Sequence, residues 1–298
     1  MLLSACEWSS AARKAREVEV ALGHGLPPSA LRALWLGDQL ANTLPAPLLF
    51  ESLYHVYRRL SKCVDYVTAG ARPVLGSSQV LGRIESFGQD VGQWLKVAGG
   101  DKASVTEDAL WRRKPGPHEV SAEFGAFVGY SAIRFARCIL AAAAEEQARV
   151  GSPGHKAVHA AGRESLAGAS FEVDPVHAAV ARHFIAVAGL SPWAEVWLGL
   201  LQDTLPLLSE RGGEGSKAFG FMDQRGTTFH TDLAHIESMR LLAPCAMATA
   251  DNVNKPGAPV FLWHMTRTPS FSTMIWSMGE FASHTIEDWQ SVSLGTPC

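Results

Sequence analysis

With 298 residues, 47% of them hydrophobic and 18% charged, the chain can bury one substantial α/β core with additions and lacks the make-up of a disordered segment. A formal net charge of -3, without a Lys/Arg stripe, excludes a phosphate backbone as the primary partner and leaves small molecules as the expected class. No stretch reaches the ~20 uninterrupted apolar residues of a membrane-spanning helix, and the first residues lack a basic leader, so a cytoplasmic protein is expected.

In chain order, Ser9/Ser10 cap a predicted helix from Ala11 to Leu22, Pro27/Pro28 open a second toward Ala41, and Pro47 opens a third through Tyr54, Tyr57 and Leu60. Thr68-Ala69-Gly70-Ala71-Arg72-Pro73 breaks this pattern, and Ser77/Ser78 restart a helix over Val80, Ile84 and Phe87. The expected division is therefore a helical N-terminal extension over residues 1–76 and a second unit over 77–298.

Beyond that boundary short apolar runs alternate with helical segments: Val120 to Phe124, Ala169 to Val173, Glu195 to Leu198, Ala218 to Met222 and Cys245 to Ala250. Such alternation predicts parallel βαβ units in a doubly wound sheet. Two last strands, Phe271 to Trp276 and Trp289 to Ser293, are separated by only a short link and predict a partly antiparallel edge. Between the first two strands the segment Ala141 to Ala161 reads as a prolonged helix followed by a Gly/Pro loop, Gly151-Ser152-Pro153-Gly154. The five cysteines are odd in number, scattered and free of any C-x-x-C pair, which points to a reducing compartment. His155 and His159 stand one helical turn apart without a third ligand and read as surface.

Several residues carry chemistry. Glu123-Phe124-Gly125-Ala126-Phe127-Val128-Gly129-Tyr130-Ser131 joins the first strand to a helix, and glycines at such a turn let a ligand approach free helix N–H groups, although they serve equally in any tight turn. At the end of the second strand, Glu172 in Phe171-Glu172-Val173-Asp174-Pro175 can accept from ribose hydroxyls. Met222-Asp223 and Ala250-Asp251-Asn252 each end an apolar strand, and two carboxylates with an amide oxygen form a hard oxygen set suited to Mg2+. Taken singly, each of these Asp residues also reads as a helix cap or turn former.

Together these segments resemble the successive motifs of catechol O-methyltransferases. The likeness is carried by Glu123 to Ala132, Phe171 to Pro175, Gln202-Asp203 and above all Ala250-Asp251-Asn252-Val253-Asn254-Lys255-Pro256-Gly257-Ala258-Pro259. Upstream, Trp94-Leu95-Lys96-Val97-Ala98-Gly99-Gly100-Asp101-Lys102 resembles the family segment that folds over the cofactor. The resemblance covers about residues 78 to 297. It implies a class I methyltransferase fold, a seven-stranded mixed sheet, and Mg2+-dependent transfer of a methyl group from S-adenosyl-L-methionine to a hydroxyl of a catechol or related vicinal diol.

By the same resemblance Glu123, Gly125 and Ser131 lie at the methionine end of the cofactor, Glu172 on the ribose and Gln202 on the adenine, with Val97 or Ala98 closing over it. Asp223, Asp251 and Asn252 match the magnesium ligands, with Asp223 also beside the cofactor, and Asn252 and Glu280 face the acceptor. One departure is clear: the family's general-base Lys falls at Gly226, in Asp223-Gln224-Arg225-Gly226-Thr227-Thr228-Phe229-His230. His230 is the available substitute base. A relative that binds cofactor but serves as a scaffold is the alternative implied by that loss.

Overall fold

The computed structural model describes residues 47–70, 74–116, 119–150, 168–281 and 283–296. The expected helices before Pro47, the Gly151–Gly154 loop, and His155 and His159 lie outside them.

Helix α1 (Pro47–Thr68) and helix α2 (Ser77–Ser86) precede a turn at Phe87–Val91 and helix α3 (Asp101–Arg113). Then follow β1 (Val120–Phe124), α4 (Tyr130–Val150), β2 (Gly168–Glu172), α5 (Pro175–Val187), β3 (Ala194–Leu198), α6 (Leu201–Gly212) and β4 (Lys217–Met222). A short 3-10 turn at Gly226–Thr228 leads into α7 (Phe229–Ser238), and the chain closes with β5 (Leu242–Ala250), a wound loop at Val253–Gly257, α8 (Pro259–Arg267), β6 (Phe271–Glu280) and β7 (Ser283–Gly295).

One seven-stranded sheet runs β3-β2-β1-β4-β5-β7-β6. β1 to β5 are mutually parallel, whereas β7 runs antiparallel to both β5 and β6. All five residues of β1 are buried, because helices cover both faces of the central strands, so that even its polar Ser121 and Glu123 lie inside. The order reverses direction at β1 and β4, so their carboxyl ends open a crevice where such sheets bind ligands.

On one side of the sheet Leu60, Cys63, Val64 and Val67 of α1 pack with Val80 and Ile84 of α2 and Phe184 and Ile185 of α5. The other side gathers Phe124, Phe171, Phe229, Leu233, Phe261 and Met265. Arg83 ties α2 to the end of α1 by donating to the carbonyls of Val67 (2.9 Å) and Ala69 (2.7 Å). The apolar face of α1 is thus built into the core of the sheet unit. Asp174 caps α5 by accepting from the N–H groups of Val176 and His177, with Pro175 in the first turn.

Cys63 and Cys138 are free thiols, whereas Cys245 is disulfide-bonded, an exception to the reading of five scattered thiols. Among the described residues no helix is long and apolar enough to cross a membrane.

Candidate active site

The expected cofactor residues sit at the carboxyl ends of β1 and β2. Gly125 (φ 101°) passes so close to β4 that an added Cβ would lie 2.8 Å from the carbonyl oxygen of Asp223, and at Gly129 (φ 79°) it would lie 3.0 Å from Ala181. Both glycines are therefore required by the backbone itself. Their turn also brings the Phe127 N–H to Glu172 Oε2 (2.7 Å). Glu172 Oε1 accepts from the N–H groups of Val173 and Asp174 (2.9 Å each), so three of a carboxylate's roughly four acceptor positions are used and one remains for a ligand.

Glu123 lies behind this turn, fully buried. Its Oε2 accepts from the Ser170 hydroxyl (2.5 Å), Ser131 also bonds it, and its Oε1 has no partner. Burial pushes its carboxyl up to about 7 against the pull of the two serines, with Glu172 raising it further. His177 packs edge-on against Phe127 and stands 3.9 Å from Glu172; burial lowers its pKa, but the neighbouring Glu172 and Asp174 outweigh that and the net shift is upward. Val97 and Ala98 are buried within the segment leading to α3, and Gln202 is exposed at the start of α6.

The ends of β4, β5 and β6 bring a second group together. Asp251 Oδ1 accepts from the Asn252 N–H (2.8 Å) and from the Lys102 ammonium (2.9 Å). Lys102, 1% exposed, also reaches Glu280 Oε1 (3.0 Å) and Asp288 Oδ2 (2.8 Å). Asn252, in the left-handed region at φ 56°, donates through Nδ2 to the same two carboxylates, at 3.0 Å and 2.8 Å. Asp288, fully buried in β7, further accepts the Lys255 N–H through Oδ1 (2.9 Å) and so fixes the loop after Asn252.

Asp223 is partly buried at the end of β4. Burial, then Asp251, then Glu123 push its carboxyl well above the usual carboxylate range, with Lys102 opposing. Burial likewise raises Asp251 to about 6, Lys102 pulling the other way. The cluster is therefore rich in negative charge relative to its one buried ammonium, the situation that a divalent cation relieves. Among the described residues no three His, Cys, Asp or Glu side chains are grouped as metal ligands. Among the described residues, no hydrogen bond reaches the carboxylate of Asp223, Asp251 Oδ2, Glu280 Oε2 or Asn252 Oδ1, the two Nδ2–H groups of Asn252 being used on Glu280 and Asp288. Two carboxylates and one amide oxygen fit a hard, six-coordinate cation that retains positions for water or an acceptor.

Two expectations about the base meet the geometry differently. His230 is the second residue of α7, and among the described residues it makes no hydrogen bond or ion pair with Asp223, Asp251, Asn252 or Glu280. At Gly226 a Cβ would lie 2.7 Å from the carbonyl oxygen of Gly257, so the 3-10 turn and the loop after Asn252 touch backbone to backbone there. No lysine fits that position as the chain is folded. Lys102 and Asp288 escaped sequence reasoning, because a lysine in the first turn of a helix and an acid beside Glu287 both read as solvated charges.

No family model matches the chain. It is 28% identical to the bovine protein named catechol O-methyltransferase over 199 residues, which is 66% of this chain and 63% of that one, so it spans less than two thirds of that relative. It is 29% identical over 232 residues to a Mycobacterium tuberculosis protein named Probable O-methyltransferase, covering 76% of this chain and 85% of the other. Among solved structures, the O-methyltransferase TomG of Streptomyces achromogenes, in complex with S-adenosylmethionine, superposes with a TM-score of 0.55 at 16% identity, over 80% of this chain and 96% of that one. A Bacillus cereus O-methyltransferase gives 0.53 at 16%, over 78% and 96%. By sequence the chain is similar to proteins named catechol O-methyltransferase, and its fold is that of the class I methyltransferases.

Proposed function

We propose that the chain is an S-adenosyl-L-methionine-dependent O-methyltransferase acting on a catechol or related vicinal diol, with Mg2+ as its metal. The observation that carries this reading is the set of undonated oxygens on Asp223, Asp251 and Asn252, in the crevice beside the Gly125 turn and Glu172. A hydride-transferring enzyme of the same fold class has no use for such a set. Similarity to proteins named catechol O-methyltransferase supports the choice of acceptor.

In this reading Glu172 offers its remaining acceptor position to the ribose, while Gly125, Ser131 and Glu123 border the methionine end and Val97 covers it. Asp223, Asp251 and Asn252 hold the cation, which when bound lowers the pKa of a phenol from about 10 toward neutrality. Glu280 accepts from the hydroxyl that is not methylated. With the acceptor and the methyl donor fixed beside one another, much of the rate comes from positioning. A dedicated lysine base is not required.

Asp251→Ala tests the assignment. Calorimetry with S-adenosylhomocysteine should give nearly wild-type affinity, while Mg2+-stimulated methyl transfer to catechol is lost. Unchanged turnover in this variant removes Asp251 from the metal site.

A further inference from the structure

Lys102 is a buried charge that the reaction does not obviously need. Its three N–H bonds are all given to carboxylates, on Asp251, Glu280 and Asp288, so no proton-accepting lone pair faces the crevice and it does not replace the missing base. What it does is geometric. Lys102 belongs to the first turn of α3 and follows directly from the Trp94–Gly100 segment that covers the expected cofactor position. Its three partners come from β5, β6 and β7, which carry the acceptor side.

A second contact joins the same two parts. Phe281, next to Glu280, lays its ring against Gly99, where a Cβ would meet ring carbons at 2.6 Å, and it lies close to Gly88 and Gly100 as well. Asn252 Nδ2 completes the arrangement by bonding the two carboxylates that Lys102 holds, Glu280 and Asp288. These bonds use both Asn252 N–H groups and leave its Oδ1 turned to other duties. The Lys102 bond to Asp251 Oδ1 likewise leaves Oδ2 as the undonated oxygen.

Resting on the methyltransferase reading above, we propose that Lys102 is a positioning residue that locks the cofactor-covering segment to the acceptor-holding strand ends, by fixing Asp251 and Glu280 through one buried ammonium. It orients the oxygens that face the acceptor without touching the acceptor itself. Partners of this kind, one bond removed from a ligand group, are commonly worth as much as the group's own orientation.

The test uses the full chain and 4-nitrocatechol, whose visible absorbance changes on ionisation, titrated in the presence of Mg2+ and S-adenosylhomocysteine. Lys102→Met should weaken 4-nitrocatechol binding about 10- to 100-fold, the usual cost of removing an outer partner of a ligand group. Calorimetry should find S-adenosylhomocysteine bound with affinity within about threefold of wild type, since Glu172 and the Gly125 turn are untouched. Three unbalanced carboxylates threaten the fold of that variant, so Lys102→Met/Asp288→Asn, which removes one carboxylate charge together with the ammonium, is measured beside it. Selective loss of 4-nitrocatechol binding in either folded variant supports the proposal. Equal binding by wild type and variant overturns it alone, and so does a parallel loss of both ligands or failure of both variants to fold, since each leaves Lys102 with a purely structural role. Absence of 4-nitrocatechol binding by the wild type, with S-adenosylhomocysteine still bound, instead overturns the acceptor reading on which the proposal rests.

Discussion

At the scale of single residues, Gly226 is the departure with the sharpest consequence. A lysine cannot be placed there by substitution alone, because the first side-chain carbon would collide with the Gly257 carbonyl at 2.7 Å. Gly226→Lys should therefore lower the melting temperature, at a cost of roughly 1–3 kcal/mol for forced packing, and should not raise methyl transfer. Differential scanning fluorimetry and a turnover assay decide the point: a stable variant with greater activity contradicts the backbone contact.

Glu123 offers a pH signature on the same scale. Burial raises its carboxyl from the ordinary value of 4.5 to about 7, so the folded state takes up a proton that the unfolded state lacks between those values. The stabilising contribution is complete below about pH 4.5 and is lost as pH rises through about 7. Glu123→Gln stays neutral throughout. Its melting temperature should match wild type near pH 5 and exceed it near pH 8 in the absence of ligands. Parallel melting curves for the two proteins across that range would falsify the assignment.

At the scale of elements, the strands were legible because five of them are short apolar runs closed by Gly, Asp or Pro. β1 occupies Val120–Phe124 as expected, and β2 to β4 begin one residue earlier than expected, since the parallel ladder continues into flanking residues. β6 and β7 are much longer than their apolar runs, extending to Glu280 and starting at Ser283. β6, at the sheet edge, leaves even Met274, Ile275 and Trp276 exposed, and periodicity carries little information where burial is slight. The Gly125 turn, Glu172 and Asp223, Asp251 and Asn252 all lie at the strand ends where the sequence put them, because apolar runs closed by Gly, Glu or Asp mark such ends. The Lys102–Asp288 pair was not, because it joins residues 186 positions apart and neither carries a local mark.

The helical elements before the sheet have a physical consequence of their own. Leu60, Cys63 and Val67 of α1 are wholly buried against α2 and α5. A chain beginning at Ser77 would leave that apolar surface uncovered, so it should aggregate or melt far below the full chain. Size-exclusion chromatography shows which: a monomeric, cofactor-binding product starting at Ser77 would make residues 1–76 a separable extension.

At the scale of the whole molecule, one sheet brings together two kinds of surface. The ends of β1 and β2 present a turn and a carboxylate suited to a nucleoside, and the ends of β4, β5 and β6 present hard oxygens around a buried ammonium. Their adjacency follows from the strand order, in which β1 and β4 are neighbours although β2, β3 and the intervening helices separate them in the chain. A cofactor site alone would suit a scaffold. Under the proposed function, the second group is what asks for an acceptor with two vicinal oxygens. The most direct measurement is the transfer of a labelled methyl group from S-adenosyl-L-methionine to a panel of catechols and matched monophenols, each with Mg2+ and with a chelator. Methyl transfer to the vicinal diols alone, abolished by the chelator and restored by Mg2+, is the predicted result. Tight cofactor binding with no transfer to any diol would contradict it.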